Sequence, residues 1–341
     1  AEDGCSHRWD PLAAINRRSI DRFDQISRQA YLLFPEVQGG AGSNADKFWE
    51  PAGRAAVTAV MNLLAESPSM PLTMANVLRV FTRGDGHEWL ERQIACRRTA
   101  GTPDSMGVVD GVSDYLNGEA GQVNGIRKTV STRLQAWMNP RIASATSASD
   151  FDVRDIRRRP MSIYLRVAPG NIERMRPFLR LFVDQLLTLN SDKTPAQDPS
   201  LNTPVLLMLD EFARLGHMAA LSSALQYVRG YGIRVALVIQ NKAQIRAIYG
   251  KDGAADIFDN LGAEAVYATT DNELAQELEK RLGDDTIDVV TKNRPRFWAW
   301  AKLSKQSEAE HPHRRPLMLA QELGRLPDDE QVIIRPGMLP M

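Results

Sequence analysis

Two adjacent carboxylates, Asp210 and Glu211, follow at once on the apolar run Val205-Leu-Leu-Met-Leu209. Such a run has the pattern of a strand in a parallel sheet, and acids at its carboxyl end sit where open α/β sheets bind ligands. The pairing suits phosphate hydrolysis: the first acid holds the shell of a magnesium ion and the second polarises the attacking water. The same residues also fit a core strand whose next turn begins with acids capping the following helix. Arg229-Gly230 lies where the next helix is expected to end, and Gln240-Asn241 follows the next apolar strand. All four side chains are therefore expected near one edge of the sheet. An arginine there could stabilise charge on a transferred phosphoryl group, in its own site or a neighbour's, and an amide could sense the γ-phosphate or its water. Taken singly, Arg229 also fits a helix cap, and Gln240 a partner for loop backbone groups.

A site of that kind needs a glycine-rich phosphate loop, G-x-x-x-x-G-K-[ST], and none occurs in these 341 residues. The nearest stretch, Gly39-Gly-Ala-Gly-Ser-Asn-Ala-Asp-Lys47, has no lysine after a glycine and no strand before it, and is read as a flexible joint. Other chemistries find little support. His7, His87, His217, His311 and His313 show no metal spacing with Cys5 and Cys96, and His311-Pro-His313 is expected to form an exposed turn. No serine stands in a nucleophile-elbow sequence.

The elements that must position these residues change character along the chain. Residues 1–45 hold one helical pattern (Ile20, Phe23, Ile26, Ala30, Leu33) and the glycine joint. Residues 46–146 read as an all-helical block. Val57, Val60, Met61 and Leu64 share one face, Met74, Val77, Leu78 and Phe81 another, and Val123, Ile126, Val130, Leu134 and Trp137 a third stripe. Arg127, Lys128 and Arg133 lie off that stripe and are expected on a solvated face. Residues 147–341 alternate strands and helices. Strands are expected at Ser162–Val167, Val205–Leu209, Val235–Ile239, Ala263–Ala268 and Gln331–Arg335, and helices at Gly170–Leu189, Met218–Tyr231 and Asn272–Leu282. Continuous apolar strands between helices argue for an α/β, mostly parallel sheet covered on both faces.

Bulk composition excludes some classes. Lys plus Arg and Asp plus Glu both total 42, so any nucleic-acid surface would have to be local. One such run is Lys292–Gln306, with five basic and no acidic residues. There Arg294, Arg296, Lys302 and Lys305 could meet phosphates while Trp298 and Trp300 stack on bases; a solvated tail or a subunit contact fits equally. Two cysteines are too few for a disulfide framework and suggest a reducing compartment. No apolar run approaches the roughly 18 residues of a membrane span. The opening Ala-Glu-Asp-Gly-Cys5, without an initiator methionine, leads us to expect a piece of a longer protein.

Several separate stretches, in order along nearly the whole chain, resemble the TraG-type coupling ATPases of type IV secretion and conjugation. They are His7-Arg-Trp-Asp-Pro-Leu12, Phe48-Trp-Glu50, Ser149-Asp-Phe-Asp152 with Arg159-Pro160 and Ser162-Ile-Tyr-Leu165, Leu206–Phe212 with Leu215-Gly216, and Arg315-Pro-Leu317. The resemblance implies a RecA-like P-loop NTPase with an inserted all-helical domain, working as a homo-hexamer at the cytoplasmic face of the bacterial inner membrane. It implies ATP hydrolysis with Mg2+, used to deliver single-stranded or relaxase-bound DNA, or effector proteins, to the channel components of the secretion system. In this resemblance Asp210 is the magnesium-shell acid of the Walker B block and Glu211 the catalytic carboxylate. Arg229 is the finger offered to the adjacent subunit, and Gln240 is the glutamine after the next strand. The family's phosphate loop and membrane anchor have no counterpart in these residues. A non-catalytic, cargo-binding fragment or paralogue is the alternative; a ring motor for chromosome or single-strand translocation fits less well, because of the helical insertion.

Overall fold

The computed structural model describes residues 6–34, 44–67, 70–100, 106–292 and 308–341. They form two compact units, Ala1–Asp256 and Ile257–Met341.

The first unit begins with α1 (Arg22–Leu33), which buries Ile26, Ala30 and Leu33 but leaves Ile20 and Phe23 of the expected stripe in solvent. Every described element from Asn44 to Ala145 is then helical: α2 (Asn44–Glu66), α3 (Met74–Thr82), α4 (Gly86–Ala100), α5 (Met106–Leu116), α6 (Ala120–Arg133) and α7 (Pro140–Ala145). The apolar positions at helical spacing on α2 and α3 form its core, with Val57, Val60, Met61, Leu64, Met74, Val77, Leu78 and Phe81 all buried. Gly125 of α6 lets Trp49 of α2 lie against its backbone; a Cβ there would come within 2.5 Å of the indole. Of the three basic residues of α6, Arg127 departs from expectation. Arg127 Nε donates to the Phe81 carbonyl (3.0 Å) and is half-buried, whereas Lys128 and Arg133 are exposed, Arg133 Nε also donating to Glu50 Oε1 (3.0 Å). Only Val123 and Val130 of α6 are buried, and Arg127 reaches back to the residues around Phe81.

Where the chain leaves this helical stretch it is clasped to its own beginning. Trp9 N–H donates to the Ala145 carbonyl (2.9 Å), Asp10 N–H to Ser149 Oγ (3.0 Å) and Asp150 N–H to the Arg8 carbonyl (3.0 Å). Trp9 then packs edge-on against Phe178 and Phe182 of α8 (Ile172–Leu189), with ring centroids 5.3 and 4.9 Å away. Asp10 is 7% exposed, and its Oδ1 accepts the Leu12 N–H at 2.9 Å. Burial pushes its carboxyl up to about 6, against the lowering effects of that hydrogen bond and of Arg17.

After α8 the chain enters β1 (Val205–Leu209), which pairs in parallel with β2 (Ile233–Leu237) from Val205↔Ile233 to Leu209↔Leu237. Buried Arg157 organises the loop before β1, donating to the carbonyls of Asn190 (2.7 Å) and Lys193 (2.8 Å). Three expectations are corrected here. Ser162–Val167 forms no ladder with any described strand; its alternation of residue types resembles a strand, but a strand needs a hydrogen-bonded partner, and Tyr164 is exposed. The expected helix Met218–Tyr231 is a short α9 (Ala219–Ala224) followed by a separate 3-10 turn at Val228–Tyr231. The sheet is not covered on both faces by the described residues, since Leu206 and Met208 of β1 are 62% and 61% exposed. A further helix, α10 (Lys242–Asp259), is interrupted at Gly250.

The second unit holds β3 (Glu264–Val266), α11 (Asn272–Leu282), β4 (Asp284–Lys292), β5 (Glu308–Pro316), α12 (Ala320–Leu323) and β6 (Val332–Ile334). Asp271 caps α11, its Oδ1 accepting the N–H groups of Glu273 (3.0 Å) and Leu274 (3.3 Å). Leu278, Leu282, Leu323 and Val332 make the core. β3, expected as a third strand of a parallel sheet, pairs antiparallel with β6 instead, Glu264 opposite Ile334. A three-residue strand, Glu264-Ala-Val266, carries no information on the direction of its partner. The antiparallel ribbon β4–β5 was not expected at all, and it places His311-Pro-His313 on a strand and not in a turn. Prolines at 312 and 316 argue against a strand, yet a two-stranded ribbon has only edges, where proline is tolerated. No helix of the described residues is long and apolar enough to cross a membrane.

Candidate nucleotide-hydrolysis site

Asp210 and Glu211 stand directly beyond the carboxyl end of β1, and Gln240 shortly beyond that of its parallel neighbour β2. The two ends are tied together: Val238 N–H donates to the Leu209 carbonyl (3.0 Å) and Phe212 N–H to the Val238 carbonyl (3.1 Å). Glu211 and Gln240 line one cavity of about 380 Å³, with Arg176, Arg214, Ile239 and Ile248 among its other walls. The cavity thus lies at the sheet edge where acids on adjacent strands of this topology act on ligands.

Glu211 has φ +48° and ψ +44°, and among the described residues no other non-glycine residue has positive φ. For an L-residue this conformation costs roughly 1–2 kcal/mol and persists only where its surroundings enforce it. The restraints are visible. Asp210 Oδ1 accepts the Glu211 N–H (3.0 Å), the Glu211 carbonyl accepts the Arg214 N–H (2.8 Å), and Phe212 is buried and stacked on Tyr249 at 5.9 Å. Tyr249 Oη also accepts the Met218 N–H (3.0 Å) and donates to the Gly216 carbonyl (3.4 Å), so α10 grips the loop at its far end. Burial pushes the Tyr249 phenol up to about 12, which keeps it a neutral donor. Gly216 has φ +70°, and a Cβ there would meet Arg180 Nη2 at 2.8 Å.

The loop is surrounded by positive charge. Arg176 Nε donates to the Arg214 carbonyl (2.8 Å), Arg180 Nη2 to the Leu215 carbonyl (3.3 Å), and Arg214 Nε pairs with Glu211 Oε2 at 3.0 Å. Burial, with Arg176 beside it, lowers the Arg180 pKa, and burial together with Arg180 lowers that of His217. A neutral His217 packs on Tyr249, ring centroids 4.7 Å apart. The Asp210 carboxylate is exposed at the strand end, with Oδ1 on the Glu211 N–H, and so fits an outer ligand of a hydrated Mg2+. The G-x-x-x-x-G-K-[ST] sequence that would cradle the β- and γ-phosphates does not occur in the 341 residues.

Sequence reasoning missed Arg176, Arg214 and Tyr249. Arg214 was readable as a charge three residues beyond Glu211. Arg176 and Tyr249 come from distant segments that only the fold brings near. Arg229 is a correction of a different kind. It lies in the 3-10 turn before β2, at the amino edge of the sheet, whereas Glu211 and Gln240 sit at the carboxyl edge. Five residues of strand separate the two edges by roughly 17 Å. Arg229 therefore does not share the cavity with Glu211 of its own chain. Arg294, Arg296, Trp298, Trp300, Lys302 and Lys305 lie outside the described residues, as does the Gly39–Ser43 joint.

A family model for the type IV secretory system conjugative DNA transfer proteins matches residues 1–341. The chain belongs to that family. Among family relatives it is 29% identical to Protein VirD4 of Agrobacterium fabrum (strain C58 / ATCC 33970) over 208 residues, 61% of this chain and 30% of that protein. It is 26% identical to Conjugal transfer protein TraG of Escherichia coli over 343 residues, 94% of this chain and 51% of that protein. This member of the family thus spans between about a third and a half of the length of these relatives. The bacterial conjugative coupling protein TrwBdeltaN70, in its unbound monoclinic form, superposes with a TM-score of 0.66 at 17% identity, over 98% of this chain and 70% of that one. TrwB in complex with ADP and Mg2+ gives a TM-score of 0.65 at 16% identity, with the same coverage. The chain therefore has a RecA-like α/β fold carrying a helical insertion.

Proposed function

We propose that this chain is the part of a type IV secretion coupling protein that contributes the acidic, water-activating side of an ATP-hydrolysing motor. In this reading Asp210 holds hydrated Mg2+, and Glu211 accepts a proton from the attacking water. Gln240 orients that water or the terminal phosphate, and Arg229 reaches the site of the next subunit in a homo-hexameric ring. When bound, Mg2+ neutralises charge on the β- and γ-phosphates. The phosphate cradle comes from another segment of the complete protein. Residues 46–146 form the inserted helical domain, residues 1–45 and 147–341 the nucleotide-binding part. The ring would stand at the cytoplasmic face of the inner membrane and deliver single-stranded or relaxase-bound DNA, or effector proteins, to the secretion channel.

The observation that carries this reading is the convergence of Glu211 and Gln240 on one cavity at the carboxyl edge of β1 and β2, with Glu211 held at positive φ. Solved relatives with bound ADP and Mg2+ or ATP analogues lend it support. The edge position of Arg229, far from its own chain's Glu211, is what a residue acting in trans requires. The test is Glu211→Gln in the complete protein: ATP binding should persist while turnover falls to background. Hydrolysis at the wild-type rate would remove Glu211 from the reaction.

One observation favours a second reading, a cargo-binding module without turnover: no G-x-x-x-x-G-K-[ST] sequence occurs in the 341 residues. ATP turnover, with and without single-stranded DNA, measured on this chain and on the complete protein separates the two. Activity confined to the complete protein favours the motor, and inactivity of both favours the module.

A further inference from the structure

Arg214 stands where the proposed hydrolytic reading has no role for it. Its Nε lies 3.0 Å from Glu211 Oε2, both side chains line the 380 Å³ cavity that also holds Gln240, and its side chain is half exposed. Its backbone is fixed on both sides: the N–H donates to the Glu211 carbonyl (2.8 Å), and the carbonyl accepts from Arg176 Nε (2.8 Å). The guanidinium itself extends, half exposed, from an anchored loop and is held by the Glu211 pair. Among the described residues it is the cation ion-paired with that carboxylate, and the cavity it faces is the one in which a phosphoryl group would have to lie for Glu211 to reach its water.

We infer that Arg214 is a positioning residue that exchanges partners, holding the Glu211 carboxylate by ion pairing and giving it up to pair with the terminal phosphoryl group of the nucleotide. This inference rests on the hydrolytic reading of Glu211. The exchange follows from the relative strengths of the two pairings. A half-exposed pair to a single carboxylate is weakly held. A phosphoryl group carries more charge and offers several oxygens to the planar fork of the guanidinium, so it competes effectively. Once released, Glu211 keeps its place through the backbone restraints at its positive φ, and its carboxylate is free to accept the proton of the attacking water. The pairing thereby ties activation of the water to arrival of the terminal phosphate. ADP, which lacks that phosphate, does not draw the arginine away.

The test compares wild type, Arg214→Ala and Arg214→Lys in the complete protein, reading kcat and KM for ATP together with affinities for ADP and for a non-hydrolysable ATP analogue. Arg214→Ala should lower kcat at least about tenfold, and should weaken analogue binding by at least about tenfold relative to ADP, as loss of a charge-assisted phosphate contact requires. Arg214→Lys should recover part of both, since it restores the charge without the fork. Wild-type kcat in Arg214→Ala, or equal weakening of ADP and analogue, would overturn the inference. A thermal midpoint matching wild type shows that the variants fold, as expected for a half-exposed side chain. If Glu211→Gln retains full turnover, the hydrolytic reading beneath the inference fails. If Glu211→Gln is inactive while Arg214→Ala is fully active, only the role of Arg214 fails.

Discussion

Replacing Asp10 by Asn tests how a buried carboxylate shapes the clasp between the chain's first residues and the exit of its helical stretch. The substitution keeps an oxygen for the Leu12 N–H and removes the charge. In the folded protein the carboxyl is pushed up to about 6, chiefly by burial, from an ordinary value of 3.8. The folded form therefore binds this proton more tightly than the unfolded chain. The stability from that difference is fully present below pH 3.8 and is lost as pH rises through 6. At about 1.4 kcal/mol per pH unit, an ionised Asp10 costs the fold about 3 kcal/mol relative to its neutral form. Asp10→Asn should consequently be more stable than wild type by about 2–3 kcal/mol at pH 8, with the gap closing towards pH 4. Urea unfolding followed by tryptophan fluorescence measures this, since Trp9 is adjacent and buried. Asp184, also raised by burial and opposed by Arg28, titrates alike in both proteins and cancels in the difference. A stability gap independent of pH, or a variant less stable at pH 8, would refute the reasoning.

Two other substitutions probe different parts of the molecule. Gly125→Ala places a methyl group 2.5 Å from the Trp49 ring, and the variant should lose about 1–3 kcal/mol in thermal or urea unfolding; wild-type stability would show that α2 and α6 separate easily. Arg229→Ala in the complete protein should lose ATP turnover, and mixing it with Glu211→Gln subunits should restore part of it, because some interfaces then pair an intact arginine with an intact glutamate. No recovery at any mixing ratio would count against action across the subunit interface.

How much of this was legible beforehand follows from the range of the signals involved. β1 and α11 appear at the expected residues because a five-residue apolar run and a capped amphipathic helix are local patterns. Asp210, Glu211 and Gln240 could be placed at one sheet edge because each immediately follows such a run. The opposite edge for Arg229 was equally open to reading, since it precedes the second apolar run and a residue before a parallel strand lies at the amino edge of the sheet. Ser162–Val167 shows the limit from the other direction: residue types can suit a strand, but pairing is a property of two segments. β4 and β5 were hidden because Asp284-Asp285, Pro312 and Pro316 oppose strand formation locally, while the cross-strand ladder supplies what propensity lacks. Arg127 was misplaced because a charge off the apolar stripe can satisfy itself on a neighbouring helix as readily as in water.

The left-handed backbone at Glu211 has a consequence for anyone improving this protein. At φ +48° glycine or asparagine is a more comfortable residue than glutamate, so a screen for thermal tolerance should select changes at this very position. Such winners would unfold at higher temperature and have no carboxylate facing the cavity. Heat resistance and the proposed turnover are thus set against each other at one residue, and a stabilised version of this chain is better sought in the helical stretch than in the loop after β1.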